Sequence, residues 1–253
     1  MIDTRKPSSN TKPHAQKKIS SSTPDRSVLE DTADYNWHRP TVDNYDRLDL
    51  KAELLQNIHA HNYSPSELQG RALEPLMHGR DLIARVIPND DVYTALAIVI
   101  VQRLDPAIKF VQALVVVPDS HVARKIQELV AALGNFTNVN CQILVAGADV
   151  HDDFAKLEND DAQVIVGTPG RVYQMITRKA LRTDNIRMLY LCGAGSSEAR
   201  QLKRNIFDVH RRVVQEKRAG VVQVVLCADR LPADMVEKIG MLLRNPVRVV
   251  VPE

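Results

Sequence analysis

Seven short apolar runs punctuate the chain from residue 81 onward. They are 81–87 (DLIARVI), 112–117 (QALVVV), 141–146 (CQILVA), 162–166 (AQVIV), 186–191 (IRMLYL), 221–227 (VVQVVLC) and 247–251 (VRVVV). Each is rich in Val, Ile and Leu and apolar on successive positions, a pattern that predicts strands buried on both faces. Between them the period changes. In 120–133, Val122, Ile126, Leu129, Val130 and Leu133 recur on one helical face. Ser120 stands where a helix N-cap is expected, and Gly134 just past the last turn. Further helices are predicted near 47–61, 66–77, 92–104, 170–179, 197–214 and 233–243. Alternation of this kind predicts a single α/β domain, with a mostly parallel sheet flanked by helices on both faces. Ligands of such sheets sit at the carboxyl ends of the strands. The informative segments are therefore 88–93, 118–122, 147–149, 167–171, 192–197 and 228–232.

The first 44 residues break the pattern. They are polar, Ser- and Pro-containing and without apolar periodicity, so a disordered tail is expected over 1–44 and the domain over 45–253. Residues 1–26 carry Arg5, Lys6, Lys12, Lys17, Lys18 and Arg26 against Asp3 and Asp25. Such a basic-leaning tail can touch RNA or an acidic protein, or serve solubility alone. The whole chain has a net charge of +2, too balanced to define a partner. No apolar run reaches the roughly 20 residues of a membrane span, and the N-terminus lacks the apolar core of a secretory signal. Cys141, Cys192 and Cys227 lie far apart, with no CxxC pair. An intracellular protein is expected, nuclear or cytoplasmic, with no membrane contact and no metal site. His151-Asp152-Asp153 reads as a solvated helix start rather than metal ligands. The basic residues Lys203, Arg204, Arg211, Arg212, Lys217 and Arg218 read as a solvated helical face.

One strand end has a phosphate-binding character. Gly167-Thr168-Pro169-Gly170-Arg171 leads into a helical pattern. Pro is favoured in a first turn, the free amides there attract anions, and Arg171 adds a full charge. A capped helix with no ligand fits the same residues.

Several stretches resemble the first RecA-like domain of the DEAD-box RNA helicases, of the kind represented by translation initiation factor 4A. They are Asn36-Trp37 with Val42-Asp43-Asn44-Tyr45, Pro65-Ser66-Glu67-Leu68-Gln69 with Arg71-Ala72, IQELVAALG (126–134), DAQVIVGTPGRV (161–172), LRTDNIRM (181–188) and RNPVRVVV (244–251). The resemblance implies a RecA-like fold, an adenine site at Tyr45 and Gln69, and RNA-backbone contacts at Gly147, Thr168, Pro169, Gly170 and Arg171.

The same alignment implies losses. The family's Gly-rich phosphate loop ends in Gly-Lys-Thr; here Ile87-Pro88-Asn89-Asp90-Asp91-Val92-Tyr93 takes its place, with Asp91, Val92 and Tyr93 at the end of the motif. Pro88 removes an amide donor. Each carboxylate facing a phosphate 4 Å away costs about 1 kcal/mol in water and about 4 kcal/mol near a protein surface. The family's metal-binding Asp-Glu-Ala-Asp is Cys192-Gly193-Ala194-Gly195, and its Ser-Ala-Thr is Ala228-Asp229-Arg230. Its Pro-Thr-Arg-Glu-Leu becomes Pro118-Asp119-Ser120-His121-Val122, and its Gly-Gly pair Ala146-Gly147. The resemblance ends where the family begins its linker to a second RecA-like domain. On these grounds the chain is expected to lack ATPase and helicase activity and to carry no cofactor. It is expected to act by binding a protein scaffold or regulator of RNA metabolism or translation. Weak, sequence-independent RNA binding and residual nucleotide binding are the alternatives.

Overall fold

Strands without polar positions need cover on both faces, and two apolar clusters supply it. The computed structural model describes residues 42–87, 89–147, 149–159, 161–193, 199–215, 221–228 and 243–250. Among these, β1 (Leu82–Arg85), β2 (Ala113–Val116), β3 (Cys141–Leu144), β4 (Val164–Gly167), β5 (Met188–Cys192), β6 (Gln223–Ala228) and β7 (Val247–Val250) form one sheet. Its order is β3-β4-β2-β5-β6-β1-β7, and every neighbouring pair is parallel. The expected α/β class and all seven expected strands are present.

Alternation along each strand divides the core. Leu82 and Ala84, Val115, Val166 and Tyr190 face one cluster with α1 (Ala52–Ala60), α2 (Glu67–Met77), α3 (Asp90–Arg103) and α4 (Ser120–Leu133). Ile83, Leu114, Val116, Ile165 and Leu191 face the other, with α5 (Val150–Asn159), α6 (Pro169–Thr177) and α7 (Ala199–His210). The helix α3 is buried from Val92 through Val101, so it carries no amphipathic stripe and behaves as a central core element. Lys51 closes its far end: Nζ donates to the carbonyls of Val101 and Leu104 at 3.0 and 2.8 Å.

Helix starts differ from expectation in instructive ways. The N-cap of α4 is Asp119, not Ser120; its carboxylate accepts from the amides of His121 and Val122, both at 2.9 Å. A carboxylate one residue earlier reaches the orphan amides better than the Ser120 hydroxyl. The helix α3 begins at Asp90 rather than 92 because Asn89 Oδ1 accepts from Val92 N at 3.2 Å. Asp153 is not solvated: it is 1% exposed and ion-paired with Arg171. All of the expected helix at 233–243 except Leu243, which is buried, lies outside the described residues, as does most of the expected tail, 1–41. Val42 is described, and its amide donates to the Gly70 carbonyl at 3.1 Å.

The amino ends of the strands are closed by buried polar side chains. Asp81 accepts from Val224 N at 2.8 Å and Arg244 N at 2.7 Å, so one carboxylate ties β1 to the segments entering β6 and β7. Gln112 and Gln163 both donate to the Ile108 carbonyl, at 3.1 and 3.2 Å. Gln223 donates to the carbonyls of Leu76 and Arg80 at 3.0 and 2.7 Å and accepts from Arg103. Replacing Asp81 by Ala removes the partner of one buried and one part-buried amide and is expected to cost about 3 kcal/mol. Asp43→Ala, which removes only an exposed pair with Arg47, is expected to cost under about 1 kcal/mol. Urea midpoints of the two variants provide the check; equal midpoints would contradict the role of Asp81.

Candidate functional site

The strand order sorts the carboxyl ends into two neighbouring groups. The ends of β3, β4 and β2 carry the residues expected to face RNA. The ends of β5, β6 and β1 carry those aligned with nucleotide chemistry.

In the second group several polar side chains are engaged within the protein. Gln69 is 3% exposed. Its carbonyl accepts from the Tyr45 hydroxyl at 2.7 Å and from Ser66 N at 3.1 Å, and its amide donates to the Asp91 carbonyl at 2.9 Å. Ser66 Oγ accepts from Gln69 N in return, a reciprocal capping box at the start of α2. Tyr45 is 1% exposed, so its ring lies inside the fold. Burial pushes its phenol well above the ordinary range, with the Asp91 charge adding to the shift. At the start of α3, Asn89 caps the helix, Asp90 pairs with Lys125, and Asp91 is exposed. Val92 and Tyr93 are buried. Burial, aided by Cys192 and Asp119, pushes the Tyr93 phenol up to about 12. Cys192 and Cys227 face each other across β5 and β6. Gly193 has φ +75°, and a Cβ there would lie 3.1 Å from the Pro118 ring. Its amide donates to the Cys227 carbonyl at 2.8 Å. Ala228 is buried opposite Arg85. Ala194, Gly195, Asp229 and Arg230 lie outside the described residues.

The first group is more open. Gly147 has φ +94°, and no atom lies within 4 Å of where its Cβ would stand. On the adjacent strand end Gly167 packs tightly, since a Cβ would meet the Leu144 carbonyl at 2.5 Å. Thr168 N donates to that carbonyl at 2.9 Å. Pro169 opens α6, and Thr168 makes no side-chain cap on it. Gly170 is exposed; a Cβ there would meet only Asn205 Nδ2, at 3.7 Å. Arg171 is 8% exposed and holds α6 to α5 through Asp153. Nothing in the linear pattern signals this pair, because its members lie on separate elements. Among the described residues no group of His, Cys, Asp or Glu could hold a metal ion.

A parallel sheet of this order, with these strand-end motifs, defines a RecA-like helicase domain. The model for DEAD/DEAH box helicases matches residues 94–224, and the chain belongs to that family. It is 36% identical to the ATP-dependent RNA helicase eIF4A of Mycosarcoma maydis over 88% of this chain and 53% of that protein. It is 38% identical to that of Chaetomium globosum over 83% of this chain and 52% of the relative. The S. cerevisiae Dbp5 structure bound to RNA and ADP BeF3 is 27% identical, with a TM-score of 0.71 over 83% of this chain and 52% of that one. A DEAD box protein from Methanococcus jannaschii, 16% identical with a TM-score of 0.75, shares the fold. The chain thus spans about half the length of the curated relatives it matches. These relatives correct the expectation that the chain is not an enzyme: they are named as ATP-dependent RNA helicases.

Two outcomes test this geometry. Asp153→Ala removes the carboxylate facing a buried guanidinium and is expected to cost about 3–5 kcal/mol, read as a lower urea midpoint; an unchanged midpoint would contradict the ion pair. Tyr93 binds its proton more tightly folded than unfolded. Stability is therefore fully present below pH 10 and falls as pH rises toward 12. Tyr93→Phe is expected to flatten that fall between pH 9.5 and 11, and identical slopes for the two proteins would refute it.

Proposed function

We propose that the chain binds the RNA backbone, weakly and without sequence preference, at the amino end of α6. The carrying observation is the contrast among helix starts. The starts of α2, α3 and α4 are capped by Ser66, Asn89 and Asp119, whereas Thr168 leaves that of α6 uncapped. Exposed Gly170 lets a phosphate approach the helix start, whose amides carry partial positive charge. Pro169 fixes the first turn, and Gly147 leaves room on the neighbouring strand end. Arg171 contributes by anchoring the helix. A related solved structure, S. cerevisiae Dbp5, is described as bound to RNA.

A second reading is docking on a protein scaffold or regulator of translation or RNA metabolism. It is favoured by how many strand-end groups (Gln69, Tyr45, Asn89, Arg171) are already satisfied internally, which leaves outer surface as the means of recognition. A related Dbp5 structure is described as bound to Gle1.

Gly170→Asp places a carboxylate against the bound phosphate where there is space for it. A repulsion of about 1–4 kcal/mol is expected to lower affinity for a single-stranded RNA by roughly tenfold or more. Wild-type binding is expected to weaken steeply with salt. Filter binding at 25–200 mM salt checks both. No wild-type binding at the lowest salt would refute the RNA reading. Recovery of a helical-repeat scaffold by affinity capture, unaffected by Gly170→Asp, would favour the second.

A further inference from the structure

Two of the three cysteines are neighbours in space although 35 positions separate them. Cys192 ends β5, and Cys227 is the penultimate residue of β6. The register places them directly opposite on adjacent parallel strands. Opposed residues of such strands point to the same face, here the face covered by α3, and both thiols join the same apolar cluster as Tyr93. Adjacent strands lie roughly 4.7–4.9 Å apart, inside the 4.4–6.8 Å window for the Cα atoms of a disulfide. Contact with Cys227, together with burial, pushes the Cys192 thiol well above its ordinary range, and both cysteines are free.

We propose that Cys192 and Cys227 form a redox-sensitive dithiol that closes reversibly to a disulfide across the carboxyl ends of β5 and β6. The oxidant is a small disulfide. One thiolate attacks it, forming a mixed disulfide and expelling one thiolate. The second cysteine then attacks the protein sulfur of that mixed disulfide and expels the other. Two protein S–H bonds are lost, one S–S bond forms, and the small disulfide takes two electrons and both protons to leave as two thiols. Burial slows the first attack by keeping the thiols protonated, but both residues sit at strand ends, where local fraying gives access without opening the sheet. The bond would reinforce the tie between these strand ends that the Gly193 amide already makes to the Cys227 carbonyl. Cys141 provides an internal control. It is buried on β3, at the far edge of the sheet order, with its thiol pushed up to about 12 by burial.

The test treats the folded chain with 2-hydroxyethyl disulfide for a day at pH 8.5, then unfolds and alkylates it for mass spectrometry. The expected result is loss of two of the three alkylatable thiols, a Cys192–Cys227 cross-linked peptide, and recovery of all three thiols after dithiothreitol. Cys192→Ala and Cys227→Ala are each expected to abolish the cross-link. Three alkylated thiols in the treated wild type would overturn the proposal, as would a cross-link through Cys141 or an oxidised product that dithiothreitol does not reverse.

Discussion

The fold depends on a row of buried polar side chains at the amino ends of its strands. A sheet covered on both faces has nowhere to solvate the backbone of the segments that enter it, so those groups need partners from the protein. Asp81, Gln112, Gln163 and Gln223 provide them, each 3% exposed or less. Gln112 also accepts from Asp105 N at 3.0 Å while donating to the Asp105 carbonyl at 2.8 Å. A single side chain thus closes the loop before β2. Gln163 joins the same loop to β4, and Gln223 joins the end of α2 to β6. These bonds fix register where β4, β2, β6 and β1 begin. A slip of one residue would move every apolar side chain to the wrong face and would also strand these amides.

With one end fixed by its own polar groups, the other end is where recognition can occur. The crossovers send β2 and β1 to separate parts of the sheet. The motifs that follow them therefore fall into two clusters, although they are interleaved in sequence. One cluster, at β5, β6 and β1, is internally bonded through Gln69, Tyr45 and Asn89. The other, at β3, β4 and β2, keeps exposed glycine backbone at 147 and 170. Among the described residues no helix is long and apolar enough to cross a membrane, so these strand ends and the outer helical faces are the surfaces the described domain offers.

The strands were legible because their signal is local: three or more apolar residues in succession, bounded by polar ones. The onset of α3 was misplaced by two residues because a cap at Asn89 depends on side-chain geometry rather than composition. Asp153 reads in sequence as part of a solvated helix start, and Arg171 as a charge offered to an anion. Each looks polar and isolated in its own segment, and only the packing of α5 beside α6 brings them together. The glutamines that close the sheet read merely as the first residues of strands. The Cys192–Cys227 contact was hidden for the same reason, since it exists only through the pairing of β5 with β6. Contacts between elements, not the elements themselves, were what the linear pattern withheld.

Helix starts at the carboxyl edge of the sheet show how such contacts select a site. Each of α3, α4, α5 and α6 begins there and presents the positive end of its dipole. At α3 that charge is answered by Asn89, Asp90 and Asp91. At α4 it is answered by the Asp119 carboxylate. At α5, Asp149 accepts from His151 N at 2.8 Å, and Asp152 and Asp153 follow in the first turn. An anion arriving at any of these three ends must compete with carboxylates already in place or displace a cap worth about 1 kcal/mol. The first turn of α6 contains no acid, and its N-cap side chain makes no bond to it. The difference is one of occupancy rather than geometry. All four helices offer amides, and among the described residues only α6 of the four has neither an acid in its own first turn nor an N-cap side-chain bond.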